Sequence, residues 1–496
     1  MREPAAATPH PQAVVAEPIG PPPDARGYIW LRRLEPARPP KVRDSRHAGW
    51  LVVATVCLGA FMGQLDASIV TVGLPSLSRD LHAGVGAVEW VSLTYLLTLV
   101  ALVAPVGTWS DAVGRKALYL SGFAVFGIAS LGCALAPNLA VLCVLRILQA
   151  TGAALLQANS VALIAANSPR DRLGRAIGVQ AAAQAIGLAL GPSLGGLLLT
   201  VGSWRLLFLV NVPVAAIGIT TGLLLLPRSR DLAPARTLDR PGLLLFIPAV
   251  CLPLLALSLA AGSRRHQIIA IPTAAAGLLV LLLLARQQTR ARTPLLNLDL
   301  LRTITFRRGL LTAFAGYLVL FGVLFVVPFF LGAARLASPA RAGLDLTALP
   351  AGIGLVAPFA GRLADHAPRP VTVAGLLLAA SGLSVLAAAR PLGAGLPATL
   401  FAIGLGLGAF IAANNSTTIG HAPPTSAGAA SGLLNMTRGL GTAAGTAVAA
   451  LAFAITAGHH IPLTTHAALA GLSTVAAVLA AVTVLAAFVT LRGPQA

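Results

Sequence analysis

From residue 49 onward the chain alternates between long apolar runs and short polar stretches. A run of about 20 apolar residues is what a helix needs to cross the hydrocarbon core of a bilayer. Such runs fall at roughly 49–71, 86–106, 116–136, 139–165, 174–199, 204–226, 241–261, 268–286, 307–331, 343–361, 370–389, 395–419, 428–456 and 466–491, fourteen in all. The pattern predicts an all-α polytopic membrane protein. Residues 1–48 depart from it. They hold many Pro, Ala and Arg and no sustained apolar run, which predicts a disordered tail. They also lack the apolar core and small-residue cleavage site of a signal peptide.

Composition agrees with this picture. Of 496 residues, 56% are hydrophobic and 10% charged, with a mean hydropathy of +0.84. About a quarter of an ordinary soluble chain is charged. The formal charge of +20 does not indicate a nucleic-acid partner, because the Arg residues are scattered between spans and form no basic helix or patch. It reflects instead the excess of Lys and Arg in cytoplasmic loops. With both termini inside, the inner loops and C-terminal tail hold 18 basic residues and the outer loops 7, apart from eight in the N-terminal tail. The predicted location is a bacterial cytoplasmic membrane, multi-pass, with both termini cytoplasmic. Cys57, Cys133, Cys143 and Cys251 all lie within spans, so neither a disulfide nor a metal framework is expected.

Few charges lie within the spans. Asp66 is the only acid in Trp50–Val72. An ionised group there costs at least ~2.5 kcal/mol on insertion scales, so it should face the bundle interior or a watery cavity and have a partner. Arg146 in span four and Arg438 in span thirteen are the intramembrane cations. Glu89 is placed near the outer end of span two, close to water.

Several short runs carry more specific information. After span two comes Gly107-Thr108-Trp109-Ser110-Asp111-Ala112-Val113-Gly114-Arg115-Lys116. It reads as a basic loop in which glycines allow a tight turn and Asp111 caps the next helix or pairs with a cation. Gly361-Arg362-Leu363-Ala364-Asp365-His366, after span ten, is a degenerate copy. Span four holds Arg146-Ile147-Leu148-Gln149. Arg146 either bonds backbone carbonyls or partners a carboxylate. Span five contains Gly187-Leu188-Ala189-Leu190-Gly191-Pro192-Ser193-Leu194-Gly195-Gly196, physically a small-residue packing face with a proline kink.

Together these runs resemble the major facilitator superfamily. The first matches its inter-helix loop signature at Gly107, Asp111, Gly114, Arg115 and Lys116, with Trp109 and Ala112 departing from it. Gly361, Arg362 and Asp365 repeat it, as expected of two halves related by an axis along the membrane normal. Gly187, Gly191, Pro192, Gly195 and Gly196 fill the exporters' antiporter signature. Leu65-Asp66-Ala67-Ser68-Ile69-Val70-Thr71-Val72-Gly73-Leu74-Pro75 resembles the signature of its fourteen-helix drug:proton antiporter branch, and Trp204-Arg205-Leu206-Leu207-Phe208-Leu209-Val210-Asn211-Val212-Pro213 resembles a stretch common in its drug–proton antiporter branches.

The resemblance implies the major facilitator fold: two six-helix halves plus two inserted helices. The corresponding division is a tail at 1–48, an N-terminal half at 49–226, a linker with two extra spans at 227–306 and a C-terminal half at 307–492. It implies proton-coupled efflux of lipophilic small molecules, with Asp66, Arg146 and Gln149 coupling protons to substrate. Residues 107–116 and 361–365 would gate the halves. Glu89, Tyr95, Asn414, Asn415, Asn435 and Arg438 are candidate cavity residues, the second-half ones among them reading rather as structural. No cofactor or metal is expected, since the proton gradient would drive the cycle, and a monomer is expected. A dedicated exporter of an endogenous metabolite has the same sequence features. An ATP-driven pump is excluded by the lack of a phosphate-binding loop, and a membrane enzyme by the lack of buried His, Asp and Glu clusters.

Overall fold

The computed structural model describes residues 35–45, 47–168, 173–228, 239–260, 264–291, 298–333, 338–364, 366–420, 427–457 and 464–492. Regular structure among them is helical, as it must be where no water is at hand to satisfy backbone groups. Fourteen helices of at least 15 residues follow in order. In the first half they are α1 Ala48–Asp80, α2 Val85–Val113, α3 Arg115–Leu135, α4 Leu139–Asn167, α5 Leu173–Val201 and α6 Asn211–Leu225. Next come α7 Arg240–Ala260 and α8 Arg264–Arg290. The second half has α9 Ile304–Ala333, α10 Pro339–Ala364, α11 Pro368–Ala388, α12 Gly395–Gly420, α13 Ala427–Ala457 and α14 Thr465–Leu491. Short helical turns precede α1, α6 and α9. Counting α6 with its turn, 12 of these helices are long and apolar enough to cross a membrane. Within α2 and α7 the apolar stretches Ala87–Val103 and Leu244–Ala260 are shorter.

The packing repeats with an offset of eight helices. α1 packs on α4, α5 and α6, and α9 on α12, α13 and α14. α4 packs on α2 and α3, and α12 on α10 and α11; α3 meets α6 as α11 meets α14. The halves meet where α5 lies on α10 and, by the same symmetry, where α13 lies on α2. α1 and α9 touch between these two seams. The inserted pair lies outside this repeat: α7 packs on α8 and leans on α2 and α13. α8 is lipid-like on its surface, with Ile271 75% exposed, whereas Phe321–Leu331 of α9 are almost wholly buried.

The bundle end that holds Ala48, Gly114 and Leu225 is called basal below, and the opposite end distal. Two expectations change at the basal end. The loop expected at 107–116 is helix down to Val113, and the connection is Gly114 alone, with φ 118° and ψ 124°. That left-handed region favours glycine.

The expectation of disorder through residue 48 is also corrected. Residues 1–34 lie outside the described residues, but Glu35 is buried and the Glu35–Arg38 segment docks on the bundle. Glu35 Oε1 accepts from Ala117 N at 3.0 Å, and Arg228 Nε donates to Glu35 O at 2.7 Å. Lys116 Nζ donates to Pro36 O, Leu223 O and Leu226 O at 2.9, 3.0 and 2.7 Å. An acid thus sits at the N-terminus of α3 and a cation at the C-terminus of α6, where each helix dipole favours it. These bonds oppose the loss of chain entropy that composition alone would let win.

Candidate functional site

The Asp66 carboxylate lies wholly buried among α1, α2, α4 and α6. Its Oδ2 accepts from Arg146 Nη1 at 2.6 Å. Its Oδ1 accepts from Gln149 Nε2 at 2.9 Å and Asn211 Nδ2 at 2.8 Å. Arg146 Nη1 also donates to Gln149 Oε1 at 2.7 Å, and its Nε donates to Val91 O at 2.9 Å. Gln149 Nε2 reaches Ser130 Oγ of α3 at 2.8 Å. The guanidinium lies over the Tyr95 ring, 4.1 Å from its centroid, and 5.8 Å from that of Phe208.

Five helices therefore contribute to one closed network. Burying a charge pair is costly unless nearly every donor and acceptor is used. Here the acid accepts three bonds and Arg146 donates three through Nε and Nη1, while Asn211 Oδ1 is buried without a partner among the described residues. Arg146 bonds one backbone carbonyl and also partners the carboxylate, so carbonyls alone do not account for it.

The spacing of small residues in α5 explains how Asp66 comes so deep. Gly187, Gly191 and Gly195 face α1 at successive turns. A Cβ at Gly187 would meet Phe61 O at 2.5 Å and Leu65 N at 3.2 Å; one at Gly195 would meet Ile69 Cγ1 at 2.9 Å. Gly191 abuts Ser68. Ser68 Oγ in turn donates to Gly187 O at 3.4 Å. The other two signature residues point elsewhere: Pro192 O and Gly196 Cα lie against Gly343 of α10. One face of α5 thus seats α1, and another closes the two halves together toward the distal end.

A cavity among the described residues lies between the halves and is lined by α1, α2, α4, α5, α9 and α13. It encloses about 80 Å³, well short of the ~300 Å³ of the smallest ordinary ligand sites. A drug-sized molecule therefore needs the halves to part further. Asp66 does not face this cavity; of the two environments expected for it, it takes the bundle interior, with a partner. Gln64 and Ala67 of the same helix line it, while Asp66 points into the first half. Tyr95 belongs to both: it lines the cavity and covers Arg146.

The other predicted residues divide. Asn435 and Arg438 line the cavity. Asn414 does not; it ties α12 to α9, accepting from Thr312 Oγ1 at 2.8 Å and donating to Gly309 O at 3.0 Å. Asn415 is half-buried away from the lining. Glu89 is not near water but fully buried, with neither carboxyl oxygen bonded among the described residues, and it too is off the lining. The long helix α2 begins at Val85, so Glu89 falls a full turn inside it rather than at an end open to water.

At the basal end, Gly107 lies inside α2 and Gly361 inside α10, and an added Cβ at either meets nothing within 4 Å. Arg115 is half-buried, Arg362 exposed, and Lys116 holds the docked segment. The Asp111 side chain and Asp365 lie outside the described residues.

Sequence reasoning missed Asn211 and Ser130 in the network, and Gln64, Gln157, Gln184 and Tyr317 in the cavity. The signal was present for the amides: each is an amide side chain within a long apolar run, where an unbonded polar group is costly.

Comparison with known proteins agrees with this architecture. The family model of the Major Facilitator Superfamily matches residues 56–446 and 309–494, and the chain belongs to that family. It is a membrane-embedded transporter of small molecules, not an enzyme. It is 33% identical over 402 residues to the riboflavin transporter RibZ of Clostridioides difficile, covering 80% of this chain and 87% of that one. It is 32% identical over 410 residues to the multidrug resistance protein Stp of Mycobacterium tuberculosis, covering 80% and 74%. With the tetracenomycin C resistance and export protein of Streptomyces glaucescens it shares 29% over 418 residues, covering 83% and 77%. The latter two support the drug-efflux branch. A solved bacterial homologue of the human lysosomal transporter Spinster, inward-facing and unoccupied, superposes with a TM-score of 0.65 at 17% identity, over 90% of this chain and 97% of that one.

Proposed function

We propose that the protein exports small lipophilic molecules across the cytoplasmic membrane in exchange for protons, by alternating access of its two halves. The observation that carries this reading is the buried Asp66–Arg146–Gln149–Asn211 network, separated from the cavity by the Tyr95 ring. A proton taken up by Asp66 removes the charge that holds Arg146 Nη1. Arg146 then presses differently on Tyr95, and the cavity wall changes with it. Substrate at Tyr95 and a proton at Asp66 thus act on one element from opposite sides, which is the reciprocal coupling an antiporter requires.

In this reading the basal end is cytoplasmic, and the conformation is closed distally, where α5 meets α10 at Pro192 and Gly196. The open space at Gly107 and Gly361 fits a basal gate that is not engaged in this state. The drug and tetracenomycin C exporters among its relatives support export.

The test is Asp66→Asn in everted vesicles, where added substrate releases protons from the wild-type protein. Loss of that release with retained substrate binding is the expected result. Unchanged drug-driven proton release in a folded variant overturns the coupling role of Asp66.

A further inference from the structure

The cavity has a definite charge character. Among the residues that line it, Arg438 is the one that carries a formal charge, and there is no carboxylate. The other intramembrane cation, Arg146, is neutralised by Asp66 on the far side of Tyr95. Arg438 has no such partner among the described residues. Its Nη1 is steadied by Asn435 Oδ1 at 3.0 Å, and its Cζ lies 5.6 Å from the Tyr317 ring centroid. Its Nε is buried and bonded to nothing in the described structure. A buried guanidinium N–H with no acceptor is costly, and as a lining residue Arg438 puts an unneutralised charge at the wall of the space. Around it, the side-chain amides of Gln64, Gln157 and Gln184 line the same space and make no hydrogen bond among the described residues. Tyr95, Tyr317 and Phe321 supply aromatic walls.

From this we infer that the cavity selects aromatic molecules bearing an anionic edge, a carboxylate or phenolate, and discriminates against aromatic cations. The anion meets Arg438, hydrogen-bond acceptors on the ring system meet the amides, and the ring plane stacks on the tyrosines. A cation of equal size would meet an unneutralised guanidinium and find no carboxylate in the lining. The inference rests on the export reading only in taking this cavity as the substrate site.

The test compares two dyes built on the same xanthene frame: fluorescein, an anion at pH 8, and rhodamine 123, a cation. Binding to the purified full chain in detergent is followed by fluorescence anisotropy without any proton gradient. Fluorescein is expected to bind at least tenfold more tightly than rhodamine 123, the scale of one charge-assisted hydrogen bond. Arg438→Gln should weaken fluorescein binding about tenfold or more and narrow the difference between the dyes, while Arg438→Lys restores part of it. Equal or tighter binding of rhodamine 123 overturns the inference, as does fluorescein binding that Arg438→Gln leaves unchanged, or no fluorescein binding at all. The wild-type dye comparison needs no variant, so a poorly folding substitution does not decide it. If fluorescein binds as expected but a pH gradient across proteoliposomes fails to move it, proton coupling fails and the selectivity of the cavity stands.

Discussion

Asp66→Leu is the sharpest probe of the buried network. The substitution removes the acceptor of three hydrogen bonds, from Arg146 Nη1, Gln149 Nε2 and Asn211 Nδ2. Arg146 keeps Val91 O and Gln149 Oε1, and Gln149 keeps Ser130, but Asn211 Nδ2 is left with nothing. The guanidinium charge is then buried without a counter-ion. Breaking one side of a buried ion pair costs about 3–5 kcal/mol. Arg146→Met should cost a similar amount, because it strands the carboxylate against two neutral amides. The double variant Asp66→Leu/Arg146→Met removes both charges, and an apolar pair of similar volume is often neutral relative to a buried ion pair. The double variant should therefore be less destabilised than the sum of the singles by at least ~2 kcal/mol, a coupling within the range seen for contacting residues. Unfolding of the purified protein in mixed micelles by increasing denaturing detergent measures all four free energies. Additive single and double values, or a cost for Asp66→Leu below ~1 kcal/mol, the scale of one neutral hydrogen bond, would refute the account of the network as a closed electrostatic unit.

Four further outcomes follow from the geometry. Gly187→Ala forces a Cβ against Phe61 O and Leu65 N, backbone atoms that cannot swing aside, so it should destabilise by about 1–3 kcal/mol. Gly107→Ala, with nothing within 4 Å, should leave stability unchanged or raise it by up to ~1 kcal/mol through helix propensity; a transport defect there without a stability defect would mark close packing in the opposite conformation. Glu89→Leu removes a carboxyl buried with neither oxygen bonded, so thermal stability should hold or rise, and a fall of more than ~1 kcal/mol would contradict that geometry. Lys116→Met leaves Pro36 O, Leu223 O and Leu226 O without their donor; hydrogen exchange and protease cleavage within residues 35–45 should then accelerate at least tenfold, while unchanged protection would show that Lys116 does not hold the segment.

The chain's apolar runs were enough to determine that it forms a bundle of membrane helices, and nearly where each lies, because a bilayer permits little else to a run of twenty apolar residues. Asp66 and Arg146 could be paired from sequence for the same reason: each alone in lipid is too costly to leave unpartnered. The limits of that logic show at particular residues. Gly187, Gly191 and Gly195 read as a packing face, but only the fold assigns that face to α1 and turns Pro192 and Gly196 toward α10. Glu35 and Pro36 lie in a segment whose composition reads as disordered; their order comes from Lys116, some 80 residues on, and from the end of α6. Asn414 and Asn435 look alike in sequence, yet one bonds α9 and the other lines the cavity. Helix periodicity places a side chain on a face but does not say what that face meets. Asp66 shows this most clearly: its burial was legible from one charge in an apolar run, whereas its orientation into the first half, with Tyr95 between its Arg146 partner and the cavity, was set only when five helices closed around it.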